Sequence, residues 1–272
     1  MVATPDPQVK PPIHLNVTWE KLPDGYQLEE KPVDNTGQPL LAGALRESLE
    51  LAELIQPEML IASNFGLCAT LNGELVIKAP DWVYVPRVNE ILVGTERKSY
   101  TPNLEGDTPV VVMEFLSDTE GGEYSVKRTF PPGKWFFYEQ ILQVPIYVIF
   151  EPDSGLLEVY RLQAGRYELE QPDFNGRHWF DDLKLFLGTW RGEKEGRSGY
   201  WLRWWDAEEN LLLWGCEQVE QERERAEQER QRAEQERQRA EQERQRAEQE
   251  RQRAETLAEF LRSQGINPDE IA

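Results

Sequence analysis

Near its C-terminal end the chain repeats the seven residues RAEQERQ, and this repeat constrains the fold more than any other feature of the sequence. Every residue in the repeat is a good helix former, and Glu and Arg recur three and four positions apart, where they pair on a helix surface. The pattern predicts a long charged helix that ends near Gly265 and Pro268. We assign residues 217–272 to this C-terminal heptad-repeat helix.

Whether this helix pairs with another helix is open from the sequence. A coiled coil needs apolar residues at two positions of each heptad, but here alanine recurs at one position and the other position holds Glu. A solitary solvated helix is one hypothesis, and weak self-association of two chains through an alanine seam, giving a homodimer, is the other. The alanines are Ala226, Ala233, Ala240, Ala247 and Ala254.

The net charge limits the kind of nucleic-acid binding that the chain can support. The 50 acidic and 30 basic residues give a formal net charge of −20. Tight non-specific binding to nucleic acid needs a basic surface that releases counterions. A nucleic-acid function must therefore depend on a local basic groove or on a bound cation.

Few side chains are available for thiol or histidine chemistry. Cys68 and Cys216 are too few for a disulfide framework and lack partners at metal-site spacing. His14 and His178 lie in polar surroundings, so we expect them to be exposed or to cap a turn. Chemistry should therefore use carboxylates and lysine.

No apolar run is long enough for a membrane helix, and the N-terminal stretch is not a signal peptide, so we expect a cytoplasmic protein without a membrane partner.

The composition ahead of the repeat predicts an extended arm and one globular domain. Residues 1–37 are rich in Pro, Asp and Gly, which favours an extended N-terminal arm. Residues 38–216 carry enough apolar and aromatic side chains to build one core. Within them, QPLLAGALRESLELAELI has leucines near helical spacing and predicts an amphipathic helix.

Strand signals dominate the rest of the domain. Asn72-Gly73 separates two apolar runs and predicts a β-hairpin, whose second strand leads to Pro80-Asp81 and continues through WVYVP. PVVVMEFLS predicts a further strand and KWFFYEQILQ a helix. A meander of strands is expected at Tyr147–Phe150, Leu156–Leu162 and Arg166–Leu169. Short strands are expected in residues 174–214. The aromatic cluster within them, GYWLRWWDAEENLLLW, is typical of a core, and a stacking platform for bases or sugars is the alternative.

The strand PVVVMEFLS contains a single carboxylate, Glu114. An isolated buried carboxylate costs several kcal/mol unless it is paired, protonated or bound to metal. Asp81 lies at the end of another predicted strand, and Lys134 lies at the start of the next helix. Two strand-end carboxylates with a lysine suit Mg²⁺ (or Mn²⁺), so we predict that Asp81 and Glu114 bind metal and that Lys134 assists catalysis. Each residue taken singly also has a structural interpretation. Asp81 after a proline is a common turn residue, Glu114 could pair with an arginine, and Lys134 could be an ordinary exposed lysine at the start of a helix.

Basic residues in the flanking loops are candidates for phosphate contacts. Lys134 is expected near free backbone N–H groups of the first helical turn, which attract phosphate. The loop residues predicted to contact phosphate are Arg97, Lys98, Lys127 and Arg128.

The segments APDWVYV, VVMEFLS and KWFFYEQILQVPIYVIFEP resemble the signature segments of the Uma-two family, endonucleases abundant in cyanobacteria within the restriction endonuclease-like PD-(D/E)XK superfamily. The resemblance covers roughly residues 60–170. It implies an α/β fold with a mixed β-sheet core flanked by helices, and metal-dependent cleavage of DNA by Asp81, Glu114 and Lys134. The superfamily's usual lysine position holds Leu116. In the Uma-two family the lysine lies on the following helix, which implies Lys134 here, and Lys127 is a rival for the role.

Two functional hypotheses follow. The first is a divalent-metal-dependent endonuclease that hydrolyses phosphodiester bonds in DNA. The second is a catalytically inactive nuclease-like scaffold that binds partners through its helical tail. A carbohydrate-active protein using the two carboxylates is a third hypothesis, but the basic residues beside the acids fit phosphate better.

Overall fold

The computed structural model of the chain describes residues 16–20, 36–117 and 122–265. The chain forms two compact units, Met1–Trp214 and Gly215–Ala272. The predicted N-terminal arm and His14 lie largely or wholly outside the described residues, and so does Pro268. The domain boundaries expected after residues 37 and 216 stay predictions.

Within the described residues, the first unit is built mainly from strands, with two helical segments and one 3₁₀ turn between the fifth and sixth strands. In chain order the elements are β1 (Val17–Thr18), α1 (Gly37–Leu51), β2 (Leu60–Ala62), β3 (Gly66–Leu71), β4 (Glu74–Lys78), β5 (Trp82–Val85), β6 (Ser99–Tyr100), β7 (Val111–Phe115), α2 (Lys134–Phe136) continuing as a π-helix (Phe137–Leu142), β8 (Ile146–Glu151), β9 (Leu156–Gln163), β10 (Arg166–Leu169), β11 (His178–Phe180), β12 (Leu185–Lys194) and β13 (Arg197–Trp205).

A six-stranded sheet in the order β10-β9-β8-β7-β5-β2 forms the centre of this unit. Only β7 and β8 run parallel, and every other neighbouring pair in this sheet is antiparallel. A second sheet joins β1, β3, β4 and β6, and a third joins β11, β12 and β13. The predicted α/β class with a mixed sheet flanked by helices is therefore confirmed.

The parallel pair β7–β8 determines where the second helix lies. Parallel neighbours cannot be joined by a tight turn and need a crossover connection. Here the crossover contains α2 and the π-helix, which pack against one face of the central sheet. The crossover thus brings the first residue of α2, Lys134, and the residues after it onto the strand that carries Glu114.

The central sheet separates two apolar cores. Val111, Met113 and Phe115 of β7 pack with α1 on one face, whereas Val112 packs with the π-helix on the other face. Successive residues of a strand point to opposite faces, so Glu114 lies on the face of Val112. The carboxylate therefore points toward the crossover helix.

Tryptophans of the third sheet and of the segment after it fill the core around α1. Trp201, Trp204 and Trp214 are almost completely buried, and the Trp214 Nε1–H donates to the carbonyl of Ala44 at 3.1 Å. Their burial supports the prediction that this aromatic cluster is core, because completely buried rings cannot stack on bases or sugars.

The hairpin at Asn72-Gly73 is confirmed. Both residues have positive φ, as a two-residue type I′ turn requires, and β3 pairs with β4 across them. The predicted continuation of β4 through Pro80-Asp81 is wrong, because β4 ends at Lys78 and β5 belongs to the central sheet. Proline has no N–H for a ladder, which suits a break between two sheets.

Two further expectations need correction. The strands in residues 174–214 are not all short, since β12 has 10 residues and β13 has 9. His178 is not exposed: it is buried, and its Nδ1 lies 3.0 Å from Glu170 Oε1. Burial is possible because this carboxylate satisfies the ring nitrogen.

The second unit contains α3 (Gly215–Ser263), a helix of 49 residues with no buried residue. Its charged and amide side chains pair along the helix, as in Gln231 Nε2 donating to Glu227 Oε1 at 3.1 Å and Arg251 Nε donating to Glu255 Oε1 at 3.0 Å. The predicted long charged helix is confirmed. Across the described ranges of the chain, no helix has the length and apolar character needed to span a membrane.

We expect Leu45→Ala to destabilise the protein by about 2–5 kcal/mol, because Leu45 is fully buried between α1 and the sheet and its truncation leaves a cavity. Leu51→Ala is the matched control in the same helix, since Leu51 is 40% exposed and should cost less than about 1 kcal/mol. Urea denaturation of both variants measures the difference. Equal losses would show that α1 does not pack as described.

Candidate active site

Asp81 and Glu114 lie at the same end of two neighbouring strands. Trp82 of β5 pairs with Met113 of β7, so the next opposed positions are those of Asp81 and Glu114. Directly opposed residues of antiparallel strands share one face of the sheet. The backbone N–H of Phe115 donates to Asp81 Oδ2 at 2.5 Å, which fixes this carboxylate beside the strand end. The structure therefore brings the two predicted acids together.

Glu114 is completely buried, and both of its oxygens are hydrogen-bonded. Lys134 Nζ donates to Oε2 at 3.0 Å, and the Tyr138 hydroxyl donates to Oε1 at 2.9 Å. Burial raises the pKa of Glu114 to about 8; Lys134 opposes this rise, and the negative charge of Asp81 adds to it. The cost of burying this carboxylate is thus offset by a lysine and a tyrosine.

Lys134 is the first residue of α2 and follows the N-cap Gly133. Its Nζ also lies 3.4 Å from Glu123 Oε1. Burial lowers the pKa of Lys134, but the carboxylates around it, Glu114 first, raise the pKa by more, so the net shift is upward. Lys134 is therefore held in its charged form among acidic side chains.

Tyr138 reaches Glu114 from the π-helix that continues α2. A π-turn widens the helix locally, and such turns are frequent at functional sites. The sequence alone favours a packing role for Tyr138, because an aromatic residue at this helical spacing is usually core. The structure shows a fully buried residue whose hydroxyl binds the candidate metal ligand.

Glu123 is the site residue that sequence reasoning missed. It lies in the loop ahead of α2, and its side chain is only 3% exposed. The Tyr147 hydroxyl donates to the backbone carbonyl of Glu123 at 2.9 Å, which anchors the loop to β8. In the sequence, Glu123 is only an acidic residue in a Gly-rich loop between the strand of Glu114 and the helix of Lys134. That position does not distinguish it from an exposed acidic residue of a loop.

The structure places Lys134 on Glu114, while its rival Lys127 is exposed in the preceding loop. Gly133 N–H donates to the carbonyl of Lys127 at 2.9 Å, and Phe136 N–H donates to that of Ser125 at 3.4 Å. The loop thus uses an N–H of the first helical turn, so the expectation of free N–H groups there is only partly met.

The four basic residues predicted to contact phosphate fall into two places. Lys127 and Arg128 are exposed in the loop ahead of α2, and the Arg128 guanidinium lies 5.9 Å from the Phe136 ring centre. Arg97 and Lys98 directly precede β6 of the second sheet, where Arg97 donates to the Leu92 carbonyl. The first pair therefore adjoins the helix that carries Lys134.

The fold is that of a mixed α/β protein of the restriction endonuclease-like class. The chain belongs to the Uma2 family, described as "Putative restriction endonuclease", whose model matches residues 23–191. The predicted family resemblance is therefore confirmed, and the family is one of nucleases.

A solved structure from Anabaena variabilis, a "putative nuclease belonging to DUF820", is similar to the chain at 14% sequence identity and a TM-score of 0.32. The similarity covers 54% of this chain and 73% of that one. No curated protein sequence matches the chain significantly.

We expect Gly133→Ala to destabilise the protein by about 1–3 kcal/mol, since an added Cβ would lie 2.0 Å from the Ser125 carbonyl oxygen and force the loop away from α2. Gly122→Ala is the control in the same loop, because nothing lies within 4 Å of its added Cβ and its stability should change by less than about 1 kcal/mol. Denaturant unfolding compares the two. If the variants are equally stable, the loop does not pack on the helix as described.

Proposed function

We propose that this chain is a divalent-metal-dependent endonuclease that hydrolyses phosphodiester bonds in DNA. The observation that carries the proposal is the lysine–carboxylate pair of Lys134 and buried Glu114, beside Asp81, in a chain of a nuclease family. Asp81, Glu114 and Lys134 are the proposed catalytic residues. Mg²⁺ or Mn²⁺ is the proposed cofactor.

The residues at this site fit a hard divalent cation. Asp81 and Glu114 supply carboxylate oxygens on one face of the sheet, and the charge of Asp81 disfavours ionised Glu114. A cation bound between them would relieve that repulsion. Within the described residues, no three His, Cys, Asp or Glu side chains are grouped to hold one ion. Two carboxylates with several waters remain a suitable set for Mg²⁺.

When bound, such an ion would polarise a phosphodiester oxygen and acidify a water. The protein's own residues would supply the rest of the chemistry. Tyr138 holds Glu114 in place through its 2.9 Å hydrogen bond. Lys134, held in its charged form, is suited to stabilise negative charge that develops on the phosphate or to orient the attacking water. Its side chain is 17% exposed, whereas that of Glu114 is 1% exposed, so Lys134 is the more accessible member of the ion pair.

DNA is the proposed substrate, although the chain is acidic overall. Lys127 and Arg128 are exposed ahead of α2 and are the proposed phosphate contacts nearest the helix of Lys134 in the chain. Arg97 and Lys98 are the more distant candidates in sequence. Because the net charge is −20, we expect binding to depend on the cation as well as on these residues.

We expect the purified protein to nick supercoiled DNA with Mg²⁺ or Mn²⁺ and to lose this activity in EDTA. Lys134→Ala should slow nicking by about 100-fold or more, since it removes a positive charge from the transition state. Asp81→Asn and Glu114→Gln should abolish nicking, because each removes a negative charge that binds the cation. Initial rates measured by gel electrophoresis provide the comparison.

Lys184→Ala is the matched control for this assay. Lys184 is an exposed lysine that pairs with Asp181 at 2.7 Å in the turn between β11 and β12. Its loss should leave the nicking rate unchanged. Cleavage that persists in Lys134→Ala at the wild-type rate, or no cleavage under any metal condition, would contradict the proposal.

The second candidate function is an inactive nuclease-like scaffold that assembles through the helical tail. The spacing of apolar residues favours it. Every seventh residue from Val219 to Leu261 is apolar, with alanine at each position between these two. The flanking charges oppose it. Arg225 and Arg230 lie on either side of Ala226, and this pattern recurs in every repeat, so a parallel pair would bring Arg against Arg. We therefore propose that α3 is a solitary helix.

We expect the full chain and a chain ending at residue 216 both to have the mass of one copy, because paired α3 helices would face like charges at the flanking positions. Size-exclusion chromatography with light scattering measures both masses. A dimer that becomes a monomer on truncation would instead support the scaffold and a coiled coil in α3.

A further inference from the structure

The ammonium of Lys134 contacts two carboxylates at once. Its Nζ lies 3.0 Å from Glu114 Oε2 and 3.4 Å from Glu123 Oε1. The side chains of Glu114 and Glu123 are 1% and 3% exposed, whereas that of Lys134 is 17% exposed. Lys134 is thus the least buried member of this group.

In this arrangement both oxygens of Glu114 are hydrogen-bonded, and the positive charge of Lys134 lies against Oε2, where it would repel a cation. Oε1 accepts the hydrogen bond of Tyr138, which is fully buried in the π-helix, and Oε2 accepts that of Lys134. Moving Tyr138 would disrupt the core around it, since its ring packs 5.3 Å from that of Tyr147. Lys134 is the group that can leave Glu114.

Glu123 has the capacity to receive Lys134. Within the described part of the chain, Glu123 Oε2 is buried and has no hydrogen-bond partner. A buried carboxylate oxygen without a partner is costly, so a donor that turned toward it would be stabilised. The backbone of Glu123 is held by the Tyr147 hydroxyl, which keeps the carboxylate next to Lys134.

We propose that Glu123 is the alternate partner of Lys134, which releases Glu114 to bind a divalent cation. When a cation binds to Asp81 and Glu114, Lys134 leaves Glu114 Oε2 and remains bound to Glu123, still close to the proposed substrate. Glu123 is a positioning residue in this scheme, because it acts through Lys134. The inference rests on the metal-dependent function proposed above and assigns one further residue to that site.

A double-mutant cycle on metal affinity tests this role without using nuclease activity. Mn²⁺ alone is titrated by calorimetry into the wild type, Glu123→Gln, Lys134→Met and the double variant. Glu123→Gln should weaken Mn²⁺ binding about ten- to a hundredfold, the range for a charge-assisted hydrogen bond, because Lys134 then stays on Glu114 and competes with the ion. Lys134→Met should bind Mn²⁺ at least as tightly as the wild type.

The double variant separates this role from a simple effect of charge. If Glu123 acts through Lys134, adding Glu123→Gln to Lys134→Met should change the affinity by less than about twofold. An equal loss in both backgrounds, or no loss in Glu123→Gln alone, overturns the positioning role. If no variant binds Mn²⁺, the proposed metal-dependent function itself fails, which distinguishes the two failures.

Two further variants keep the result interpretable. Glu195→Gln removes a carboxylate that pairs with Lys194 at 2.7 Å in the third sheet and should leave Mn²⁺ affinity unchanged. Glu123→Asp keeps the charge on a shorter side chain and should restore part of the affinity lost in Glu123→Gln. It also replaces Glu123→Gln if circular dichroism shows that the amide variant is unfolded. Its Mn²⁺ affinity should then fall below that of the wild type but change by less than about twofold in the Lys134→Met background, and an equal loss in both backgrounds overturns the positioning role.

Discussion

The burial of one carboxylate in the central sheet is the constraint on which the body of this protein depends. Glu114 lies on a strand whose other residues are apolar and almost completely buried, so its charge needs partners within the protein. Lys134 and Tyr138 supply them, and both come from the crossover that the parallel pair β7–β8 requires. The connection that completes the sheet therefore also completes the site.

This arrangement keeps a charged lysine among acidic side chains in a protein whose net charge is −20. The carboxylates around Lys134 raise its pKa and keep it charged. Burial raises the pKa of Glu114, so its ionised form needs a nearby positive charge. Glu123 adds a second buried carboxylate beside Lys134. The proposed divalent ion would add positive charge to this acidic site, which the proposed binding of DNA requires.

The two units of the chain are stabilised in different ways. The body buries large aromatic and aliphatic side chains on both faces of a sheet, and Trp214 ties the end of the body to α1 through the carbonyl of Ala44. The helix α3 buries nothing and depends on helix propensity and on pairs of side chains along its surface, such as Gln231 with Glu227. Packing in the two cores stabilises the body cooperatively, whereas each side-chain pair in α3 stabilises only its own part of the helix.

Local patterns in the sequence determined much of this protein. The repeat specifies α3 and Asn72-Gly73 specifies a hairpin, because propensity and short-range spacing act within a few residues. The family resemblance predicted Asp81, Glu114 and Lys134 as the site residues. Only the tertiary structure decided that the chain changes sheets after Lys78, that a π-turn aims Tyr138 at Glu114, and that Glu123 in a loop reaches Lys134. These features depend on contacts between segments distant in the chain, where the burial of one charge selects its partners.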